Sequence, residues 1–279
     1  VALSGDGADE IMSGYRHHAM HLREERLRAL FPDWIRKPVF SLLARIYPKA
    51  DWAPRFLRAK STFDGLSRDS VSAYFQTVCQ NNDATRSSLF SIDMKSRLDG
   101  YNAVETFYQH ASHSPTADPQ GLIQYLDAKI YLVGDILTKV DRASMAHSLE
   151  VRAPFLDHQW IEWMSGLPNQ YKFDGQTGKS LLKKTMEPFL PKGILYRNKM
   201  GFSVPLSKWF RGPLKERVHQ VLTGPVLNDS GLFDTDYLQR VERENLSGIK
   251  NHSTLIWSLV MFEGFMRKHQ ARLAARQGQ

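Results

Sequence analysis

From Asp9 onward, apolar residues recur at three- and four-residue spacing between breakers, the period that stacks side chains on one face of a helix. The pattern predicts helices over Ile11 to Leu30, Leu122 to Tyr131, Ile136 to Leu149 and Leu255 to His269. Pro32 to Pro38 divides the first of these from a further helix, Val39 to Ile46, which Pro48 to Pro54 ends, because proline lacks the helical donor. Ser112 to Pro119 and Asp174 to Gly178 carry the small polar residues, glycine and proline of turns. Strand character is confined to an apolar stub, Val1 to Leu3, which runs at once into a Gly-rich acidic loop. Such an opening implies a piece of a longer domain whose preceding part supplies neighbouring strands. The expectation is a mainly α fold with a residual strand at the N-terminus, no internal repeat, and a polar tail, Ala271 to Gln279, that frays.

Composition narrows this little. With 279 residues, 42% hydrophobic and 24% charged, the chain can bury a core as one large or two small domains. No apolar run approaches the ~20 residues of a membrane span, and no secretory pattern opens the chain, so a cytoplasmic protein is expected. Cys79 stands alone, which excludes an internal disulfide and any multi-cysteine metal site; a structural thiol is expected there. The net charge of +8 raises the question of nucleic acid, yet basic residues are interleaved with acids through most of the chain. The densest stretches, Lys183 to Lys199 and Arg267 to Arg276, match no nucleic-acid motif and read as solvated surface or helix ends.

The densest chemistry lies in Ser4-Gly5-Asp6-Gly7-Ala8-Asp9-Glu10, which reads as strand, tight loop and helix N-terminus. Asp6 and Asp9, three apart, can point to one side and hold Mg²⁺, which takes one or two carboxylates alongside water and phosphate oxygens. The competing explanation is an N-cap with an acid in the first turn, satisfying free N–H groups without any ligand, and on spacing alone it is the commoner one. An EF-hand is excluded, since Ile11 and His17 stand where that loop needs Gly and Glu. Gly178-Lys179-Ser180 resembles the end of a P-loop but lacks the earlier glycine, Phe173 standing there, so Lys179, Lys183 and Lys184 are expected to line a helix face. Over Asp135 to Ser148 a helix would set Asp135, Lys139 and Arg142 on one side, either to orient an anionic substrate or as a plain exposed face. Arg197-Asn198-Lys199-Met200-Gly201-Phe202 can aim Lys199 into a cleft, although an exposed basic loop is commoner. His17 and His21 have a metal-compatible spacing but no third ligand, and His18 and the remaining histidines are read as ordinary core or surface residues.

Four segments together resemble the synthetase half of glutamine-dependent asparagine synthetases, including a bacterial amidotransferase subgroup of exosortase or exopolysaccharide systems. They are Leu3 to Glu10 with Gly14-Tyr15, Gly134 to Asp157, Arg197 to Trp209, and Trp257 to Phe262. The resemblance implies that residues 1–279 form the helical C-terminal portion of an α/β synthetase domain of the adenine-nucleotide alpha-hydrolase type. The ATP-binding PP-loop part and the glutaminase domain would lie outside it. It implies ATP-dependent adenylation of a small-molecule acid, aspartate or a related one, followed by attack of glutamine-derived ammonia to form an amide. By the same resemblance Asp9 helps hold Mg²⁺ on pyrophosphate, and Asp6, where many relatives have Glu, lies near substrate and ammonia. Ser4, Gly5 and Gly7 line the cofactor, Lys199 is the catalytic lysine of an R-x-K-x-x-F stretch, and Asp135 assists Asp6, with Lys139 and Arg142 in support. ATP and Mg²⁺ are expected only together with the missing N-terminal part, so the fragment alone is expected not to turn over ATP. A homodimer is compatible with the resemblance; no nucleic-acid or membrane partner is expected. Amidation of another acid, closure of a β-lactam ring, and a non-catalytic scaffold with a degenerate site stay open as alternatives.

Overall fold

The computed structural model describes residues 1–47, 59–197 and 204–277, with side chains described up to residue 270. The chain divides into two compact units, one of Val1–Val78 with Ala103–Lys199, the other of Cys79–Asn102 with Met200–Gln279. Both are helical. Among the described residues the sheet has two strands, β1 (Ala2–Leu3) and β2 (Val151–Arg152), paired in parallel with Ala2 opposite Val151 and Leu3 opposite Arg152. The strand expected at the N-terminus is therefore present. Its partner is the extended stretch that precedes Pro154.

The ladder positions the acidic loop. Ala2 N–H donates to Glu150 O at 2.8 Å and Ser4 N–H to Arg152 O at 2.9 Å, so the loop starts from a fixed backbone. It turns at Gly7, whose φ of 88° is open to glycine at little cost. A Cβ there would also lie 2.1 Å from Leu156 Cδ2. The short helix α1 (Ala8–Ile11) follows, and Ala8, Ile11 and Met12 pack on Met164 with Trp160, Leu181 and Leu182 around them. Asp157 caps the His158–Gly166 helix that carries Met164, accepting from Gln159 N at 3.0 Å and Trp160 N at 3.3 Å.

Several helix boundaries differ from those the apolar pattern predicts. The long helix expected from Ile11 is broken: α1 stops at Ile11, Ser13 adopts φ 51°, and α2 spans Arg16–Arg28. Its inward positions are largely polar, with His18, His21 and Arg28 buried, which is why apolar periodicity misplaced its start. The Asp33–Ile46 helix runs through Pro38 instead of starting after it, its first turn stabilised by Asp33 pairing with Arg36 (2.6 Å) and Lys37 (2.8 Å). Buried Arg28 and Arg36 bond the carbonyls that end the Lys60–Ser67 helix: Arg28 bonds Gly65 O at 2.8 Å, and Arg36 bonds Leu66 O and, at 2.6 Å, Arg68 O. The two helices predicted on either side of Gly134 form one rod. Pro119–Leu126 is α-helical and capped by Asp118, Asp127–Leu137 winds as a π-helix, and Thr138–Met145 returns to α. It ends at Met145, short of Leu149.

The second unit has an apolar core of its own. Phe210, Val218, Val221, Leu222, Leu227, Leu238, Val241 and Ile256 are almost wholly buried within it. They come from the helices Leu206–Arg211, Lys215–Thr223, Pro225–Asn228, Thr235–Ser247 and Ser253–Gln277. The last of these extends both ends of its predicted range and continues through most of the tail expected to fray. Cys79 is half-buried, and desolvation raises its thiol pKa despite Arg86 nearby, the reverse of what an activated nucleophile needs.

His21 makes the buried polar face of α2 sensitive to acid. Burial first and the charge of Arg28 second hold it down to about 3, while Glu25, 3.4 Å away, is engaged by Arg28. A histidine whose folded pKa lies below its unfolded value binds fewer protons when folded, so stability falls as pH drops from about 6.5 towards 3, by up to ~1.4 kcal/mol per pH unit. His21→Gln, which can keep the bond to Ser70 Oγ (3.1 Å), is expected to flatten that part of the stability profile. Urea midpoints measured from pH 7 to pH 4 for both proteins check this; parallel profiles would contradict it.

Candidate functional site

The acidic loop does not cap a helix. The residue at the α1 N-cap is Gly7, and no side chain bonds the first-turn N–H groups. Asp6 Oδ2 accepts from Ser4 Oγ at 2.8 Å, which folds its carboxylate back over the loop. Among the described residues, and apart from its chain neighbours, no atom stands within 4 Å of the place a Cβ on Gly5 would take. Asp9, in the first turn of α1, instead pairs with Lys179, Oδ1 to Nζ 3.1 Å, and each side chain is about a quarter exposed. The commoner sequence explanation, a cap, is thereby corrected: a left-handed glycine occupies the cap and the acid is turned towards a cation.

Lys179 was expected on a helix face, and it is not there. It precedes the Ser180–Met186 helix at the N-cap in a left-handed conformation, φ 57° and ψ 33°, with its own N–H bonded to Met12 O at 2.8 Å. The preceding turn delivers it: Asp174 Oδ1 accepts from Gln176 N (2.9 Å) and Thr177 N (2.7 Å), and Phe173 bridges Gly178. Gly178 lies so close to the end of α1 that a Cβ on it would be 2.1 Å from Ser13 O. Gly14 leaves room for the ion pair itself, since a Cβ there would sit 2.0 Å from Asp9 Oδ1 and 2.4 Å from Lys179 Cε. The Asp9–Lys179 contact joins residues 170 positions apart in the chain, so no local spacing signals it.

Behind the loop lies a buried polar network. Glu10 is buried and accepts from Tyr15 Oη at 2.6 Å; burial first and then Glu10 raise the tyrosine far above its usual range. The Tyr15 ring stacks on His17 with centroids 4.9 Å apart and meets Tyr131 edge-on at 5.9 Å. Further in, Asp127 accepts from Tyr74 through Oδ1 and contacts His18 Nε2 at 2.7 Å through Oδ2, with His17 Nε2 at 3.6 Å. Burial alone would raise the Asp127 carboxyl, but the groups turned towards it outweigh burial and hold it near 2, while burial keeps His18 below its ordinary value. The suspected His17 and His21 pairing is not formed. His21 turns to Ser70, and His17 Nε2 faces Tyr74 Oη at 3.3 Å with His18 and Asp127 beside it.

The other residues singled out in the sequence fall into two groups. Asp135 is exposed on the π-helical part of the rod, and its charge acts on Tyr131 together with those of Asp127, Glu10 and Asp9. Lys139 and Arg142 are exposed, and among the described residues neither pairs with Asp135. Lys199, with Gly201 and Phe202, lies outside the described residues; Arg197 is exposed after the Lys192–Leu195 helix.

A methyl group at Gly14 must displace either the Asp9 carboxylate or the backbone of α1, whose Asp9 Cα it would meet at 2.9 Å. Gly14→Ala is expected to lose about 1 to 3 kcal/mol, the usual range for overpacking, whereas Gly5→Ala, with open space around it, changes stability little. Thermal unfolding of the two variants makes the comparison. Equal melting temperatures would show that Gly14 is not needed for the close approach.

The asparagine synthase family pattern matches residues 1–267. Asparagine synthetase [glutamine-hydrolyzing] 1 of Bacillus subtilis is 26% identical over 262 residues, covering 94% of this chain and 39% of that protein. A putative asparagine synthetase [glutamine-hydrolyzing] of Mycobacterium tuberculosis is 30% identical over 267 residues, covering 94% of this chain and 38% of its own length. The rat asparagine synthetase [glutamine-hydrolyzing] is 37% identical over 112 residues, covering 37% of this chain and 19% of its own. The chain thus spans less than two-fifths of the length of the two bacterial relatives. No solved structure matches it. With the pattern covering nearly every residue, acidic loop and long rod included, this chain belongs to the asparagine synthase family.

Proposed function

We propose that this chain carries the metal-holding and acid-activating part of an ATP-dependent amidotransferase that makes an amide from a small carboxylic acid and glutamine-derived ammonia. The observation that supports this most is the Asp9–Lys179 pair, an acid and a cation held 3.1 Å apart and partly open to solvent beside a glycine-rich loop. In the reaction, a carboxylate oxygen of the acid attacks the α-phosphorus of ATP and pyrophosphate leaves. Ammonia then adds to the acyl carbon, AMP departs with the former carboxylate oxygen, and the nitrogen loses a proton.

Each residue has a task suited to its chemistry. The hard oxygen donors of Asp9 fit Mg²⁺, which neutralises polyphosphate charge when bound. Lys179 is a point charge on a flexible stem, suited to a phosphate oxygen in exchange for its contact with Asp9. Ser4, Gly5 and Gly7 offer a backbone that a nucleotide can approach closely, Gly5 having open space beside it and Gly7 a left-handed turn. Asp6, held by Ser4 Oγ, is the acid nearest the loop apex and suits a role towards substrate or the ammonia proton. Asp135, exposed on the π-helical part of the rod, is proposed to support Asp6. Lys199 is proposed to stabilise the crowded phosphorus.

Acid-dependent exchange of labelled pyrophosphate into ATP by the full gene product tests the reading. Asp9→Asn is expected to lower exchange by at least 100-fold, about 2.7 kcal/mol of barrier, and Lys179→Met by about 10-fold or more. Undiminished exchange in Asp9→Asn would favour a site without metal chemistry.

A further inference from the structure

We propose that His17, His18 and Asp127 form a second metal site, for a divalent transition ion of the zinc class, separate from the acidic loop and its Mg²⁺. The three donor atoms, His17 Nε2, His18 Nε2 and an Asp127 oxygen, all lie within 4.8 Å of one another. From His18 Nε2 to Asp127 Oδ2 is 2.7 Å, and from His17 Nε2 to the same oxygen 3.6 Å. Bonds of about 2.0 to 2.2 Å at tetrahedral to octahedral angles hold donors roughly 2.9 to 3.5 Å apart, a span these distances bracket.

A hydrogen-bonded His18–Asp127 pair accounts for two of the three residues. His17 Nε2 faces Tyr74 Oη at 3.3 Å and lies 3.6 Å from the same Asp127 oxygen, so an ion entering here exchanges one long contact of His17 for a metal bond. The surroundings suit a metal. Tyr74 donates to Asp127 Oδ1, leaving Oδ2 to bind as a single oxygen ligand with its partner oxygen occupied. The imidazole of His17 is stacked on Tyr15 and stands perpendicular to that of His18, so both rings are oriented. His18 Nδ1 has no hydrogen-bond partner among the described residues, so it can carry the proton that Nε2 gives up on coordination, with no other bond to break. His18 and Asp127 are buried, whereas His17 is about a quarter exposed, which provides a route of entry and a place for a water as fourth ligand. Two imidazole nitrogens with one carboxylate select zinc-class ions over Mg²⁺, which prefers an all-oxygen shell. The ion would tie the first turn of α2 to the rod at the start of its π-helical part.

The test uses untagged protein, stripped with a chelator and dialysed. Co²⁺ is titrated with detection by visible absorption, and Zn²⁺ by calorimetry. One equivalent of each is expected to bind, with intense cobalt bands of low-symmetry ligation and no displacement by a large excess of Mg²⁺. His17→Ala, at the exposed ligand and so tolerable to the fold, is expected to weaken binding about 10-fold or more while leaving circular dichroism of the metal-free protein unchanged. His18→Gln serves as a second variant, and weakened binding in a folded form of it supports the site. Absence of saturable binding, or equal affinity in wild type and His17→Ala, overturns the proposal.

Discussion

A carboxylate taken out of water must be surrounded by donors, and in the first unit Asp127, almost wholly buried, meets that requirement with partners from separate helices. Its two oxygens are claimed by Tyr74 from the Ser70–Val78 helix and His18 from α2, while its own backbone belongs to the rod. Three helices are therefore held in one register by a single side chain. Because breaking such a set strands a buried charge, the arrangement is more selective than apolar packing, which tolerates repacking. The turn at Gly14 and Tyr15 lies immediately before α2, so the register fixed at Asp127 passes to the end of the acidic loop through the short stretch from Ile11 to Tyr15.

The loop is also held from outside, by β2 and by the turn that ends at Lys179. Backbone bonds at Ala2, Ser4 and Lys179 frame it, and close approaches at Gly7, Gly14 and Gly178 leave no room for a side chain. An acid and a cation are thus placed by rigid backbone around them, the condition under which charged groups act on a ligand without first being reorganised.

Sequence pattern was informative where local chemistry decides structure, and silent where distant residues do. The helical class, the initial strand and the turn at Asp174 are legible because each is set by neighbours within a few positions. The start of α2 was misread because its buried side is polar, His18 and His21 being satisfied by Asp127 and Ser70. The apolar pattern gives two helices where there is one rod, because the π-helical winding over Asp127–Leu137 departs from the 3.6-residue period on which the pattern rests. Of the candidate site, the acidic loop was visible as a motif. Lys179 and the partnership of His17, His18 and Asp127 were not, since a cation after a glycine and adjacent histidines have ordinary surface or core explanations until the fold brings their partners to them.

The parallel pairing of Ala2–Leu3 with Val151–Arg152 bears on the order in which the protein is assembled. The residues of the acidic turn leave the ribosome before the strand that anchors them, which is about 150 positions further along, and Lys179 comes later still. Loop closure over such a span is slow although its entropy grows only logarithmically with length. During synthesis the nascent acidic segment therefore waits for its strand partner, and its surroundings are complete only after Lys179 has emerged.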